Sequence, residues 1–257
     1  MVIKDFIKTD SNREIAFVRS FYDKNVNKCS GIVFLPGFRS DMEGTKARAL
    51  EKFCQKNNKD FLKFDYSGHG SSSGEFESLC ISDWLDDSLN VINALTTGPQ
   101  ILVGSSMGGW ISFLLAKKIP KKIKGIVGIA AAPDFTEDGF WNNFSAHQKQ
   151  IIEKVGYLDI PNQYSEEPYR ITKKLIEDGR QNLIFGTTKV FNFPVRLLQG
   201  TADKDVNLCV PLKLLEEIEC PNMRLTLVQG ADHSFSSEEC LDLIYESIRA
   251  IDKFKII

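Results

Sequence analysis

Residues 101–115 read ILVGSSMGGWISFLL: an apolar run enters the tight turn Gly104-Ser105-Ser106-Met107-Gly108, and a second apolar run leaves it without a breaker. A strand that turns sharply into a helix has this form. Glycines on both sides of the central serine relieve the crowding of such a turn, and the Ser106 hydroxyl is pushed clear of the backbone. Ser106 then faces a helix N-terminus, where unpaired amides and the positive end of the helix dipole stabilise charge building on a substrate oxygen. A second match to the same spacing, Gly70-Ser71-Ser72-Ser73-Gly74, is followed by the polar Glu75-Phe76-Glu77-Ser78. With no helix to bury a face behind it, this copy is expected to be a flexible loop.

Short apolar runs like the one entering Ser106 recur at 31–35, 61–64, 126–132, 195–198 and 225–228. Helical patterns lie between them at 44–56, 83–95, 109–119, 208–218 and 239–254. Continuous apolar strands alternating with helices predict an α/β fold with a mostly parallel, doubly wound sheet. Two strand-like stretches, 2–9 and 14–21, precede it as a hairpin. From 133 to 193 the alternation lapses into a stretch rich in aromatic and charged residues, including Phe140-Trp141-Asn142-Asn143-Phe144 and Tyr164-Ser165-Glu166-Glu167-Pro168-Tyr169. An inserted helical cap over the sheet edge accounts for it, with Phe140, Trp141 and Phe144 as candidate substrate-pocket walls. The expected organisation is a single domain over 1–257, its core at 1–132 and 194–257 and its cap at about 133–193.

A formal charge of −2 gives no net basic field, which argues against nucleic acid as a partner. The first twenty residues mix acids and bases and hold neither a signal peptide nor a membrane span. A cytoplasmic protein without a transmembrane segment is expected, with a mitochondrial one as the alternative if a targeting extension has been removed. The lysines at 117, 118, 121, 122 and 124 read as a solvated helix end. Six cysteines without a C-x-x-C pair point to reduced thiols. With three histidines and no H-E-x-x-H, neither a metal nor any other cofactor is expected. Oligomeric state is left open.

A serine hydroxyl needs a base to take its proton, and the base needs a third group to fix its tautomer and stabilise its cation. His233 follows the run 225–228 and Asp203 follows the run 195–198, so both fall at carboxyl ends of strands, the sheet edge that carries Ser106. His69, in Asp65-Tyr66-Ser67-Gly68-His69-Gly70, rivals His233, and it either lines the site or caps its loop. Asp205 rivals Asp203, which is nearer its strand end. The order Ser, Asp, His along the chain is the one α/β-hydrolases use.

Pro36-Gly37-Phe38, the Asp65 to Gly70 turn, the elbow at Ser106, Gly200-x-x-Asp203-x-x-Val206 and Gly230-x-x-His233 together resemble the α/β-hydrolase superfamily over nearly the whole chain. Within it, residues 35–47, 98–110 and Tyr164-Ser165-Glu166-Glu167 are similar to the abhydrolase-domain-10 type, known in animals as a mitochondrial palmitoyl-protein thioesterase and acyl-glucuronide esterase. The resemblance implies the α/β-hydrolase fold and hydrolysis of esters or thioesters. It makes Ser106 the nucleophile, Asp203 the orienting acid and His233 the base, and gives the oxyanion hole to the amides of Phe38 and Met107. The chain departs from many superfamily members at Pro36 and Gln199, where those have histidine. The expected activity is a serine hydrolase acting through an acyl-Ser106 intermediate on a small-molecule ester or acyl thioester, or on an acylated protein. A catalytically silent binding module and a peptidase of the same fold are the alternatives.

Overall fold

A computed structural model describes residues 1–22, 30–161, 168–187 and 189–254. Cys29 and the Tyr164-Ser165-Glu166-Glu167 stretch lie outside the described residues. The leading hairpin is β1 (Val2–Lys8) and β2 (Glu14–Ser20), paired antiparallel. The elements then run β3 (Ile32–Leu35), α1 (Thr45–Lys56), β4 (Phe61–Phe64), α2 (Ile81–Leu95), β5 (Gln100–Ser105), α3 (Met107–Lys118) and β6 (Ile123–Ile129). After β6 come α4 (Ala146–Val155), the antiparallel pair β7 (Tyr157–Ile160) and β8 (Tyr169–Thr172), α5 (Lys173–Gln181) and β9 (Lys189–Val190). The chain returns through β10 (Val195–Gly200), α6 (Cys209–Glu217), β11 (Ile218–Glu219), β12 (Met223–Val228) and α7 (Glu238–Lys253).

Eight strands form the main sheet in the order β1-β2-β4-β3-β5-β6-β10-β12, parallel from β4 onward. Every residue of β3, β4, β5 and β10 is buried, which is why these strands read as mostly apolar, with Lys63 and Arg196 the buried charges among them. Alternate side chains serve opposite faces. Val33, Leu35, Leu62, Phe64 and Leu102 pack with Trp84 of α2 and Trp110 of α3. Ile32, Phe34, Phe61, Ile101 and Val103 pack with Leu50 of α1 and Ile244 of α7. Helix α1 buries Ala47, Leu50, Phe53 and Cys54, a single stripe, whereas α3 is buried on all sides from Met107 to Ala116. Truncating Trp84 or Trp110, both fully buried, to alanine would cost roughly 3–5 kcal/mol. The five described cysteines are free thiols.

The sixth strand ends at Ile129, three residues before the end of its apolar run. Ala130 turns into the left-handed region at φ 45°, its amide bonding Leu198 O at 2.8 Å, and the Ala132 amide donates to Ser106 O at 3.1 Å. The apolar tail of the run is thus spent on folding over the elbow. The stretch expected to be a helical cap is mixed: it holds α4 and α5, but also the β7–β8 hairpin and a wide helical turn at Phe135–Phe140. At its base the buried Asp134 carboxylate accepts the amides of Ile184 at 2.7 Å and Phe185 at 2.8 Å.

Candidate active site

Ser106 sits between β5 and α3 with φ 53° and ψ −116°, backbone angles that a non-glycine residue adopts only when its surroundings hold it there. Its backbone bonds do so: Ser106 N donates to Ile129 O at 2.9 Å, and Ser106 O accepts from Gly109 N at 2.9 Å as well as from Ala132 N. The flanking glycines are needed for space. A Cβ on Gly104 would run into Gly108 O, and one on Gly108 into Leu35 O. The Ser106 side chain itself is part-exposed at the carboxyl edge of the sheet.

Asp203 and His233 follow β10 and β12 at that same edge, and their loops are laced together. Ala202 N donates to Ala231 O at 3.0 Å, Thr201 N to Val228 O at 2.9 Å, and Gly230 N to Thr201 Oγ1 at 2.9 Å. His233 Nδ1 meets Asp203 Oδ2 at 2.9 Å, with the carboxylate fully buried and the imidazole about one-fifth exposed. Oδ1 accepts the amides of Asp205 and Val206, each at 2.9 Å. Gln199 Nε2 adds a fourth bond, to Oδ2 at 2.7 Å. Burial pushes the Asp203 carboxyl up, but the bonds from His233, Val206 and Asp205 outweigh it and hold the group below the usual carboxylate range. Asp205 contributes its amide to Asp203, and its side chain is exposed. Lys46 of α1 steadies the His233 loop by donating to Ser234 O. Ligand atoms of Asp203, Asp205 and His233 lie within 4.8 Å of one another, a spacing that suits a cation. The Asp203 oxygens, however, already accept four hydrogen bonds.

Gly37 lies against Ser106: a Cβ built there would sit 3.4 Å from Ser106 Cβ. The next amide, Phe38 N, and the first amide of α3, Met107 N, make no backbone hydrogen bond to another described residue. His69 fixes this loop. Its Nε2 accepts the Arg39 amide at 3.2 Å, and its Nδ1 donates to Ser67 O at 3.1 Å, with Tyr66, Phe76 and Trp84 packed edge-on around the ring. Burial pushes its pKa down to about 4, so the ring is neutral and free to accept. Of the two readings left open for His69, the structure supports a loop anchor.

Phe38 stands among Phe76, Trp84, Phe135, Phe140 and Tyr169, with ring centroids 5.0 to 6.2 Å away. Phe140 therefore reaches the site loop, and Phe144 stacks behind it at 6.2 Å. Trp141 is placed differently, against the guanidinium of Arg180 at 4.6 Å and the ammonium of Lys149 at 5.5 Å. Sequence reasoning passed over Phe76, Phe135 and Tyr169, and marked Gln199 only as a departure from the histidine of many superfamily members. Gln199 carried a further signal, being a second polar residue, after Arg196, in a strand that is otherwise apolar up to Gly200.

The family model described as alpha/beta hydrolase fold matches residues 32–156. The palmitoyl-protein thioesterase ABHD10 of Bos taurus, a mitochondrial protein by its name, is 35% identical over 92% of this chain and 78% of its own length. The chain belongs to the α/β-hydrolase family. Human ABHD10 matches this hydrolase at 34% identity over the same shares of the two chains. A solved structure from Agrobacterium vitis S4 superposes with a TM-score of 0.94 at 34% identity, covering 98% of this chain and all of that one. Mouse alpha/beta hydrolase domain-containing protein 10 superposes at 0.88 with 30% identity, covering 97% and 98%. Among the described residues of this hydrolase no helix is long and apolar enough to cross a membrane.

Proposed function

We propose that this hydrolase cleaves acyl thioesters or carboxylic esters by a two-step serine mechanism. The observation that carries the reading is the His233 to Asp203 bond of 2.9 Å, at the sheet edge that holds Ser106 in its strained turn. His233 takes the Ser106 proton as Oγ attacks the acyl carbonyl, and the amides of Phe38 and Met107 receive the developing oxyanion. His233 then returns the proton to the departing thiolate or alkoxide, leaving an acyl-Ser106 ester. Water, deprotonated by His233, releases the acid and restores the serine. Asp203 keeps the Nδ1 proton in place and stabilises the imidazolium throughout.

The stretch between β6 and β10 acts as the cap. Its aromatic residues Phe135, Phe140 and Phe144, with Phe38 and Phe76, offer an apolar wall suited to an acyl chain. The relatives named as palmitoyl-protein thioesterases favour a long acyl chain and an S-acylated cysteine as substrate, and their names favour a mitochondrial setting over a cytoplasmic one.

The test is labelling with a fluorophosphonate and intact-mass analysis, followed by turnover on nitrophenyl esters, acyl-cysteine thioesters and acyl glucuronides of graded chain length. One adduct on Ser106 and turnover that rises with chain length are expected. A chain that neither labels nor turns over any member of the panel would be a binding module on a hydrolase fold.

A further inference from the structure

On the outer face of α1 and α7, a groove of about 700 Å³ is bounded by Arg48, Lys52 and Lys56 on one side and by Arg249 on the other. Asp242 is the one carboxylate among its lining residues. The four cationic side chains are exposed and form no ion pair with another described residue, since Glu51, the acid on α1 between them, turns away to Lys63 at 3.0 Å. Arg48, Lys52 and Lys56 are four residues apart, so they align on one helix face and repel each other, a spacing that destabilises an isolated helix. The floor is apolar and aromatic. Phe53 and Tyr245 stack there at 4.6 Å with parallel rings, and the Arg249 guanidinium lies 5.3 Å from the Phe53 centroid.

We propose that this groove is a binding site for an organic polyphosphate, with a nucleoside diphosphate as a simple member of the class. Its volume falls within the usual range of small-molecule sites. The cation row from Arg48 to Lys56 spans about 12 Å of helix, more than one phosphate can bridge, so linked phosphates suit it better than a single anion. The aromatic floor suits a ring carried by the same ligand. A concave site of this size also fits a small ligand better than a flat anionic membrane. The proposal is independent of the reaction at Ser106.

Calorimetric titration of the full chain with ADP tests it, with pyrophosphate, adenosine and vesicles of anionic phospholipid as parallel arms. One saturable site is expected for ADP, a weaker one for pyrophosphate and none for adenosine. The double variant Arg48→Gln, Lys52→Gln should bind ADP about tenfold more weakly or worse, melt no lower than the parent and retain full ester turnover. Absence of a saturable ADP site overturns the proposal. So does undiminished binding in the double variant, or binding of the vesicles without binding of ADP.

Discussion

The two Gly-x-Ser-x-Gly stretches share a spacing and differ in where the backbone is bent. At 104–108 it is the serine that takes the positive φ, 53°, while at 70–74 the glycines take it, 47° and 109°. Ser106 is thereby lifted to the sheet edge with its hydroxyl outward. Ser72 is drawn inward instead: its hydroxyl donates to Asp65 O at 2.7 Å and accepts the Ala16 amide at 2.8 Å. Ser73 makes a matching pair of bonds to Glu14. The second stretch is therefore fastened to β2, not the flexible loop its polar sequence implied. It also braces the first one's surroundings, because the Asp65 carboxylate joins the Ser71 amide at 2.8 Å to the Met42 amide at 2.7 Å, just past Phe38. The same five-residue pattern thus presents a hydroxyl at the sheet edge when the strain falls on the serine, and serves as scaffolding when glycines absorb it.

The comparison breaks most sharply at the serines. Ser106→Ala should abolish fluorophosphonate labelling and lower kcat by about 10⁴-fold or more with the fold intact. Ser72→Ala should keep labelling and most turnover but lose roughly 1–3 kcal/mol of stability by leaving the Ala16 amide unpaired. Denaturant melts and labelling gels on both variants decide it, and the reverse pattern would exchange the two assignments.

Next in size is the acid. Asp203→Asn should cut turnover by about 10³-fold or more, since an amide cannot stabilise the imidazolium. Asp205→Asn should cost a few-fold at most, because its contribution to Asp203 is its backbone amide. Gln199→Leu removes one charge-assisted bond from Asp203, worth roughly 1.5–3 kcal/mol, and should lower kcat about tenfold. Equal losses at 203 and 205, measured at saturating ester, would remove the acid assignment.

His69 tests the bracing role of the second stretch. The unfolded chain takes a proton on this ring near 6.5, the folded chain only near 4. Between those values the unfolded state binds more protons, so stability is full above pH 6.5 and falls as pH drops toward 4. His69→Gln should remove roughly 3 kcal/mol of that acid sensitivity. Because Nε2 holds the Arg39 amide, the variant should also lower kcat more than it raises KM. Parallel pH profiles of melting for parent and variant would refute the anchor.

The smallest effect is expected in the cap. Phe140→Ala should lower the ratio of long-chain to acetyl ester turnover severalfold, whereas Trp141→Ala, whose ring is engaged by Arg180 and Lys149, should leave the ratio nearly unchanged. Equal shifts at both positions would move the acyl wall elsewhere.

The parallel sheet and its two helical layers were legible because the strands read as short, mostly apolar runs alternating with helical patterns, a signal independent of distant partners. The gathering of Ser106, Asp203 and His233 at one sheet edge was legible for a related reason: each closely follows the end of an expected strand. The fastening of Ser72 was not, since it depends on Ala16, 56 residues away, and a polar loop looks the same in sequence whether held or free. The hold of His69 on the Arg39 amide was hidden similarly, as that partner comes from another loop, whereas the bond from Gln199 to Asp203 is local and depends on how the chain turns after β10. The end of β6 was misjudged because Ala130 to Ala132 are apolar yet serve the turn over Ser106. The hairpin β7–β8 escaped notice because short strands on the surface of a cap carry neither long apolar runs nor strict alternation.

Asp134 has a consequence for how such a molecule can change over generations. By gripping the amides of Ile184 and Phe185, it closes a loop whose ends are 50 residues apart in sequence. Closure entropy grows only as the logarithm of length, so doubling the loop adds about 0.6 kcal/mol. With both ends pinned beside the sheet and α5 packed on α2 through the buried Leu175 and Ile176, insertions, deletions and exchange in the outer part of the loop, α4 and β7, leave the strands undisturbed. Graft variants carrying a different segment between Ser145 and Ile160 should fold as long as Asp134, the two amides and the core-facing side of α5 remain, which makes new substrate preferences accessible without rebuilding the sheet edge.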